Sequence, residues 1–296
     1  MRRSMLFIPS ANPKQVMFAA SMGADTIIFD LEDAVSPAEK DSSRILLRNI
    51  LKDKNIDFSK IEVCVRVNSL DSPFWKEDLE EIVPLTPGLI MTPKIEGPSD
   101  VLTFDNAISE LEKEHGIKAG SIGMVPLIET AKGIENCYQA ACASKRVRAM
   151  LLGGEDYTAN LQCKRTKEGN EIDYARKRIV NAARAAGVEV YDTPYTDAHD
   201  DFGIIDDAAY AKSLGFTGKS AISPRHVDAI NAAFSPSQAD VDYAYDVFEA
   251  LEEGKKKGLG VVALRGKMID KPVEIRARQT IEIAKELGIE RSPKDE

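Results

Sequence analysis

Two carboxylates close two apolar runs in the middle of the chain. Glu129 ends the run Gly123-Met-Val-Pro-Leu-Ile, and Asp156 follows Arg148-Ala-Met-Leu-Leu-Gly-Gly-Glu. With no histidine or cysteine beside them, an oxygen-only pair suits a hard cation, Mg²⁺ rather than Zn²⁺. The competing reading is helix capping. Glu155, Asp156 and Thr158 are good first-turn residues, and Asp156 alone reads slightly more readily as a cap than as a ligand. Two such acids at the ends of neighbouring strands shift the reading towards metal.

Arg66 is the next candidate, flanked by Val65 and Val67. It either pairs with a buried acid, Glu32 and Asp33 being the partners in reach, or binds a substrate anion. An arginine held by acids can do both. The acid-rich stretch 30–33 reads equally as a solvated face or as part of a site. Gly153-Gly154 lets the backbone turn tightly and approach a ligand. Lys94 could form a Schiff base, as in barrel aldolases, but two metal-type acids favour anion binding. Lys164, Arg165 and Lys167 form a basic loop, either solvated or docking a phosphate or an acidic partner. His115, His199 and His226 show no ligand spacing and read as structural or surface residues. No G-x-G-x-x-G after a strand, Walker A pattern or G-x-S-x-G elbow occurs.

These residues can meet only if the chain folds their strands side by side. Short apolar runs occur at 5–9, 25–33, 61–69, 88–94, 188–194 and 216–222, in addition to the opening two. Helical stretches are expected at 13–22, 37–52, 75–83, 99–115, 131–144, 171–186, 200–214 and 224–234. This alternation is that of an α/β protein with a TIM-type (β/α)8 barrel. A doubly wound open sheet would alternate in the same way. Asp30, Glu32, Arg66, Lys94, Glu129, Asp156 and Asp192 all fall at expected strand ends, and only a barrel gathers them at one mouth. The barrel catalytic domain is expected over 1–234. A C-terminal extension is expected over 235–296, with a helix at 239–257, a hairpin at 258–268, a last helix from about 270 to 287 and a frayed tail at 292–296. It exceeds a bare barrel and reads as a lid or an inter-subunit arm; a homo-oligomer is expected.

The 296 residues, 43% hydrophobic and 29% charged, are those of a globular protein with a sizeable core. A net charge of -9 argues against general nucleic-acid or anionic-membrane binding. Cys64, Cys137, Cys142 and Cys163 have no metal spacing and read as reduced, mostly buried thiols of a cytoplasmic protein. Residues 1–9 resemble the start of a signal peptide, but Pro9, Asn12, Pro13 and Lys14 interrupt it. No stretch approaches the roughly 20 apolar residues of a membrane span.

Taken in order, R-S-x-L-F-I-P at 3–9, D-L-E-D-A-V at 30–35, V-R-V-N at 65–68, L-I-E-T at 127–130, G-G-E-D at 153–156 and G-K-M-I-D at 266–270 closely resemble the citrate lyase β-subunit family. These are the citryl-CoA lyases, within the wider group of malyl-CoA lyases and HpcH-type aldolases. The resemblance covers nearly the whole chain. It implies a TIM-type barrel, Mg²⁺ dependence and carbon–carbon cleavage of a citryl thioester to oxaloacetate and an acetyl thioester. The metal-binding acids of the family fall on Glu129 and Asp156, and the substrate-binding residues on Arg66 and Glu129. The acid pair after the second strand falls on Glu32 and Asp33, and one of them, directly or through a metal-bound water, is expected to take the hydroxyl proton. Phe7 and Lys14 are expected at the CoA-type thioester carrier. The implied partners are an acyl-carrier γ subunit and a transferase α subunit.

Two departures stand out. Malyl-CoA-type relatives have an Asp before the G-K-M motif, contributed across a subunit interface; here it is Arg265. That argues against thioester hydrolysis or malyl-type acid–base chemistry using that residue. HpcH-type aldolases use a His near the second strand, where this chain has acids. A citramalyl- or malyl-CoA lyase, and a non-catalytic carrier scaffold, are the alternatives.

Overall fold

The computed structural model describes residues 1–258 and 261–293. Eight parallel strands close on themselves: β1 Ser4–Pro9, β2 Thr26–Asp30, β3 Glu62–Arg66, β4 Leu89–Thr92, β5 Gly123–Ile128, β6 Ala149–Leu152, β7 Glu189–Asp192 and β8 Gly218–Ala221. Each pairs with the next, and β8 returns to β1. The expected TIM-type α/β barrel is therefore present as a closed sheet. Its helices are α1 Pro13–Phe18, α2 Lys40–Lys52, α3 Trp75–Ile82, α4 Pro98–Glu114, α5 Ala131–Cys142, α6 Gly154–Asn160, α7 Asp173–Ala186, α8 Gly203–Leu214 and α9 Val227–Phe234.

Alternate strand residues fill the barrel. Met5, Ile28, Cys64, Met91, Val125 and Tyr191 belong to one buried cluster. Their chain neighbours, among them Leu6, Ile27, Phe29 and Ile90, are also fully buried, on the helix side. Burial on both faces explains why the strands read as continuous apolar runs.

Several elements are shorter than the sequence suggests. β2 stops at Asp30 because that carboxylate accepts hydrogen bonds from the amides of Glu32 at 2.8 Å and Ala34 at 3.3 Å, which turn the chain. Glu32 and Asp33 therefore lie on a loop. α1 gives way to a 3-10 turn, Ala19–Ser21, before Gly23 at φ 78. α8 begins at Gly203, whose amide donates to Asp200 Oδ1 at 2.8 Å. Of the four cysteines, only Cys64 and Cys137 are buried; Cys142 and Cys163 are exposed. Cys142 ends α5 and Cys163 follows α6, both away from the barrel interior.

Asp192 ends β7 as expected but faces away from the mouth. Its chain neighbour Tyr191 fills the barrel, so Asp192 must point towards the helices. There Arg176 donates to it at 2.9 and 2.8 Å and Lys219 at 2.6 Å, while Asp207 lies 2.7 Å from Arg176 and 2.6 Å from Lys219. Asp192, Arg176 and Lys219 are fully buried. This neutral quartet ties α7 and α8 to β7 and β8.

The chain contacts divide into two units, Arg2–Asn231 and a second made of Met1 with Ala232–Glu296. In the second, α10 (Gln238–Lys256) and α11 (Lys271–Leu287) pack around Ala244, Val247, Ile269 and Ala277. Asp270 caps α11, accepting from the Val273 amide at 3.1 Å. Leu259 and Gly260, within the expected hairpin, lie outside the described residues. The rest of it forms β9 (Val262–Leu264) and β10 (Lys267–Ile269), antiparallel. Arg265 and Gly266 join them, both at positive φ, 49 and 77, as a two-residue hairpin turn requires. The last three residues of the expected frayed tail lie outside the described residues. Its first, Ser292, is tied down by donating its amide to Asp242 Oδ1 at 2.8 Å. Among the described residues no helix is long and apolar enough to cross a membrane.

Breaking the quartet should be costly, because it strands buried charge. Arg176→Met should lower the urea-unfolding free energy of the full chain by about 3–5 kcal/mol. A loss under about 1 kcal/mol would show that the quartet is replaceable.

Candidate active site

The β2–β3 register sets Asp30 directly beside Arg66. Ile28 and Cys64, two residues earlier, both fill the barrel, so both charged side chains project into its mouth. Arg66 grips Asp30 through two parallel hydrogen bonds, 2.8 Å from Nε and 2.6 Å from Nη2. Its Nη1 lies 3.0 Å from Glu32 and 3.7 Å from Asp33. The guanidinium also stacks over the Phe7 ring at 5.1 Å. Asp30 is 2% and Glu32 4% exposed, so stretch 30–33 is no solvated face; only Asp33 reaches solvent.

The loop carrying Glu32 is held from below. Lys40, itself buried, donates to the carbonyls of Leu31 and Glu32, each at 2.6 Å. Asn68 donates to the Leu31 carbonyl at 3.0 Å and to Asp78 at 2.6 Å. Sequence reasoning missed Lys40 and Asp78. A lysine and an aspartate on amphipathic helices read as solvent-facing, and no local pattern reveals their burial.

Glu129 follows β5, two residues after inward-facing Leu127, and is 2% exposed. The Lys94 amide donates to its Oε1 at 2.7 Å. Asp156 sits in the first turn of α6. Gly153 is the N-cap and no side chain caps this helix start; its first turn sets Asp156 on the wall of the cavities it shares with Glu129. Gly153 and Gly154 make this placement possible. A Cβ on Gly153 would come within 2.6 Å of Glu129, and one on Gly154 within 2.8 Å of Thr193 Oγ1. The glycine pair thus accommodates protein side chains. Two cavities, about 450 and 530 Å³, share Glu129 and Asp156 as walls. The first also holds Phe7, Asp30, Asp33 and Arg66. The second holds Lys94, Ser69 and Thr130.

Charge at this mouth is unbalanced towards acid. Burial, and then the neighbouring Glu32 and Asp156, push the Glu129 carboxyl well above its usual pKa. Burial raises Glu32 to about 7, with Arg66 and Lys94 opposing and Asp33 assisting. Lys94 Nζ reaches Glu32 at 3.2 Å and Asp33 at 3.8 Å. Neither this contact nor the Arg66 contact is aligned as a hydrogen bond, so both Glu32 oxygens lack a hydrogen-bonding partner. Although its own partial burial works against charge, Glu32 and Asp33 hold the Lys94 ammonium above its usual pKa. A cationic lysine is a poor Schiff-base nucleophile, and the paired ammonium leaves only its charge role.

The residues present fit a hard cation. Glu129 and Asp156 offer oxygen donors only, and Arg66 and Lys94 are committed to other acids. Among the described residues no group of three or more His, Cys, Asp or Glu could hold a metal. Mg²⁺ needs no such cage, since it usually retains several waters and takes one or two carboxylates.

The structure brings together Phe7, Glu32, Asp33, Arg66, Glu129 and Asp156 around this mouth. Lys14 is exposed on α1 and lines neither shared cavity. The basic loop is largely engaged: Arg165 binds Glu171 at 2.7 Å, and Lys167 lies 2.7 Å from Asp197 and 3.1 Å from Asp200. His226 is fully buried and packs 6.1 Å from the Tyr195 ring, a structural residue as expected.

A closed parallel barrel with an acidic, oxygen-lined mouth at its strand ends has the architecture of a barrel enzyme. The chain belongs to the HpcH/HpaI aldolase/citrate lyase family, whose model matches residues 3–224, and it is a carbon–carbon lyase. It is 44% identical to the citrate lyase subunit beta of Haemophilus influenzae, over 96% of this chain and 97% of that one. It is 31% identical to the human mitochondrial citramalyl-CoA lyase, over 96% and 85%. Among solved structures it resembles the protein CitE of Mycobacterium tuberculosis in complex with magnesium, acetoacetate and coenzyme A. That likeness has TM-score 0.77 and 27% identity, covering 96% of this chain and 98% of that one.

The raised carboxyls give a pH signature. Glu32 binds its proton more tightly folded than unfolded, since its pKa rises from 4.5 to about 7. Its stabilising contribution is complete below the unfolded value and is lost as pH climbs through about 7. The melting temperature of the metal-free protein should therefore fall between pH 5 and 8, and more shallowly in Glu32→Gln. A melting temperature that rises over this range would contradict the burial argument.

Proposed function

We propose that this chain cleaves a citryl thioester to oxaloacetate and an acetyl thioester, as the β subunit of a citrate lyase. The near-full-length similarity to citrate lyase β subunits carries this reading. The clustering of Arg66, Glu129 and Asp156 at one mouth supports it.

In the reaction the tertiary hydroxyl loses its proton as the adjacent carbon–carbon bond breaks. The electron pair of that bond passes to the thioester carbonyl as an enolate, and a proton then adds at carbon to give the acetyl group. Glu129 and Asp156 would hold Mg²⁺, which when bound supplies Lewis acidity to the substrate oxygens. Glu32 is the acceptor for the hydroxyl proton: a buried carboxyl with a pKa near neutrality is matched to that task. Asp33, at the solvent edge, relays the proton outward. Arg66, already fixed by Asp30, stabilises the negative charge that develops on the substrate. Phe7 walls the thioester, and Lys14 meets the far end of the CoA-type carrier. The partners in this reading are an acyl-carrier γ subunit and a transferase α subunit, in the cytoplasm. Residues 235–296 serve as a lid or an arm between copies of the chain.

A second reading, a citramalyl- or malyl-CoA lyase, is favoured by the 31% identity to the citramalyl-CoA enzyme. Oxaloacetate release from citryl-CoA by the isolated chain, with and without Mg²⁺, tests the first reading. Parallel assays on citramalyl- and malyl-CoA test the second, and faster turnover of either would overturn the first.

Asp156→Asn should abolish both Mg²⁺ binding and oxaloacetate release while the circular dichroism spectrum persists. An active variant that still binds Mg²⁺ would sink the metal assignment. Arg66→Ala should lower kcat by roughly 10²–10³ with Mg²⁺ binding retained, the usual loss for one charge-stabilising donor. An unchanged kcat would remove Arg66 from the reaction.

A further inference from the structure

Glu129 meets backbone on two sides, a hydrogen bond from Lys94 and the close approach of Gly153, and the first depends on an unusual conformation. Lys94 follows Thr92-Pro93 at the end of β4 and has φ 52, the left-handed region that non-glycine residues rarely occupy. Its ammonium reaches Glu32 and Asp33 at 3.2 and 3.8 Å. What the left-handed turn achieves is to aim consecutive amides at the β5 side. The Lys94 amide donates to Glu129 Oε1 at 2.7 Å, and the Ile95 amide to the Leu127 carbonyl at 3.2 Å. The other carboxylate oxygen meets Gly153, where an added Cβ would lie 2.6 Å from both Glu129 Cβ and Oε2.

Resting on the reading of Glu129 as a metal ligand, we propose that Lys94 and Gly153 are positioning residues for it and act through the backbone. The left-handed Lys94 amide anchors Oε1, and the missing Cβ at Gly153 leaves Oε2 free to turn towards Asp156 and the shared cavities. Strained backbone over-determined by its surroundings is a common feature of functional sites. Here the strain has an identifiable product: one carboxylate with one oxygen tied and the other presented. A flexible side-chain donor would lose rotamer freedom on each binding event, whereas a backbone amide is already fixed.

The proposal separates backbone from charge at position 94. Glycine occupies the left-handed region freely and removes the ammonium. Valine removes the ammonium too, but its branched Cβ opposes that conformation. Mg²⁺ affinity of the full chain, measured by isothermal titration calorimetry, should stay within about threefold of wild type in Lys94→Gly. It should weaken roughly tenfold or more in Lys94→Val and in Gly153→Ala, the usual range for residues that orient a ligand. Thermal melts followed by circular dichroism check that each variant is folded. Should Lys94→Val fail to fold, Lys94→Gly still decides. A glycine variant that loses Mg²⁺ tenfold assigns the role to the ammonium and overturns the proposal, as do folded Lys94→Val and Gly153→Ala proteins with wild-type affinity. If wild type binds no Mg²⁺, or Asp156→Asn binds it normally, the metal reading itself falls and takes this one with it.

Discussion

Too many carboxylates share one mouth, some of them buried. Asp30, Glu32, Asp33, Glu129 and Asp156 are among the acids that line it, and Arg66, Lys94 and Lys40 are the cations among the described residues of these cavities. Water would screen such a cluster, but Asp30, Glu32 and Glu129 are nearly sealed from it. Without screening, neighbouring acids cannot all remain charged at ordinary cost, and both Glu32 and Glu129 are driven towards the protonated form. A bound cation relieves the same tension. Protonation is thus one way in which this mouth relieves its own repulsion, and the approach of positive charge is the other.

Cations and acids here are arranged in a hierarchy. Arg66 is bound first to Asp30, through two short hydrogen bonds, and only by looser contacts to Glu32 and Asp33. The tight pair makes a rigid platform, and the loose contacts leave Glu32 free to titrate. Beneath it, Lys40 and Asn68 hold the Glu32 loop by its carbonyls, so the acid is positioned without its carboxylate being consumed. Asp30 and Glu32 differ in hydrogen bonding: the first is fully engaged by Arg66, while both oxygens of the second have no hydrogen-bond partner. The buried quartet around Asp192 is the contrasting case: every acid there is matched by a cation, and it joins elements without facing the mouth.

Much was legible from the residues alone. A closed barrel buries its strands on both faces, so eight apolar runs mark them directly, and the regular helix between successive runs marks the crossovers. The strand-end rule located Arg66, Glu129 and Asp156 because chemistry in such barrels gathers at the carboxyl ends of strands. The charged quartet shows where that rule stops. Asp192 lies at a strand end like the others, and only the alternation of facing relative to Tyr191 turns it towards the helices. Loop lengths were similarly misjudged at stretch 30–33, where the Asp30 side chain ends the strand by capturing two amides.

Residue types, their order along the chain and the period of the apolar runs determined the barrel, the acids at its mouth and the family, because each is a local signal carried by neighbouring residues. Tertiary structure alone decided which acids are buried, which cation belongs to which acid and which oxygen of Glu129 meets the Lys94 amide. Those outcomes depend on burial and on contacts across tens of residues: Asp30 with Arg66, Lys40 with the Glu32 loop, the Lys94 amide with Glu129. Electrostatics in a dry site is set by distance in space, and one-dimensional spacing does not encode it.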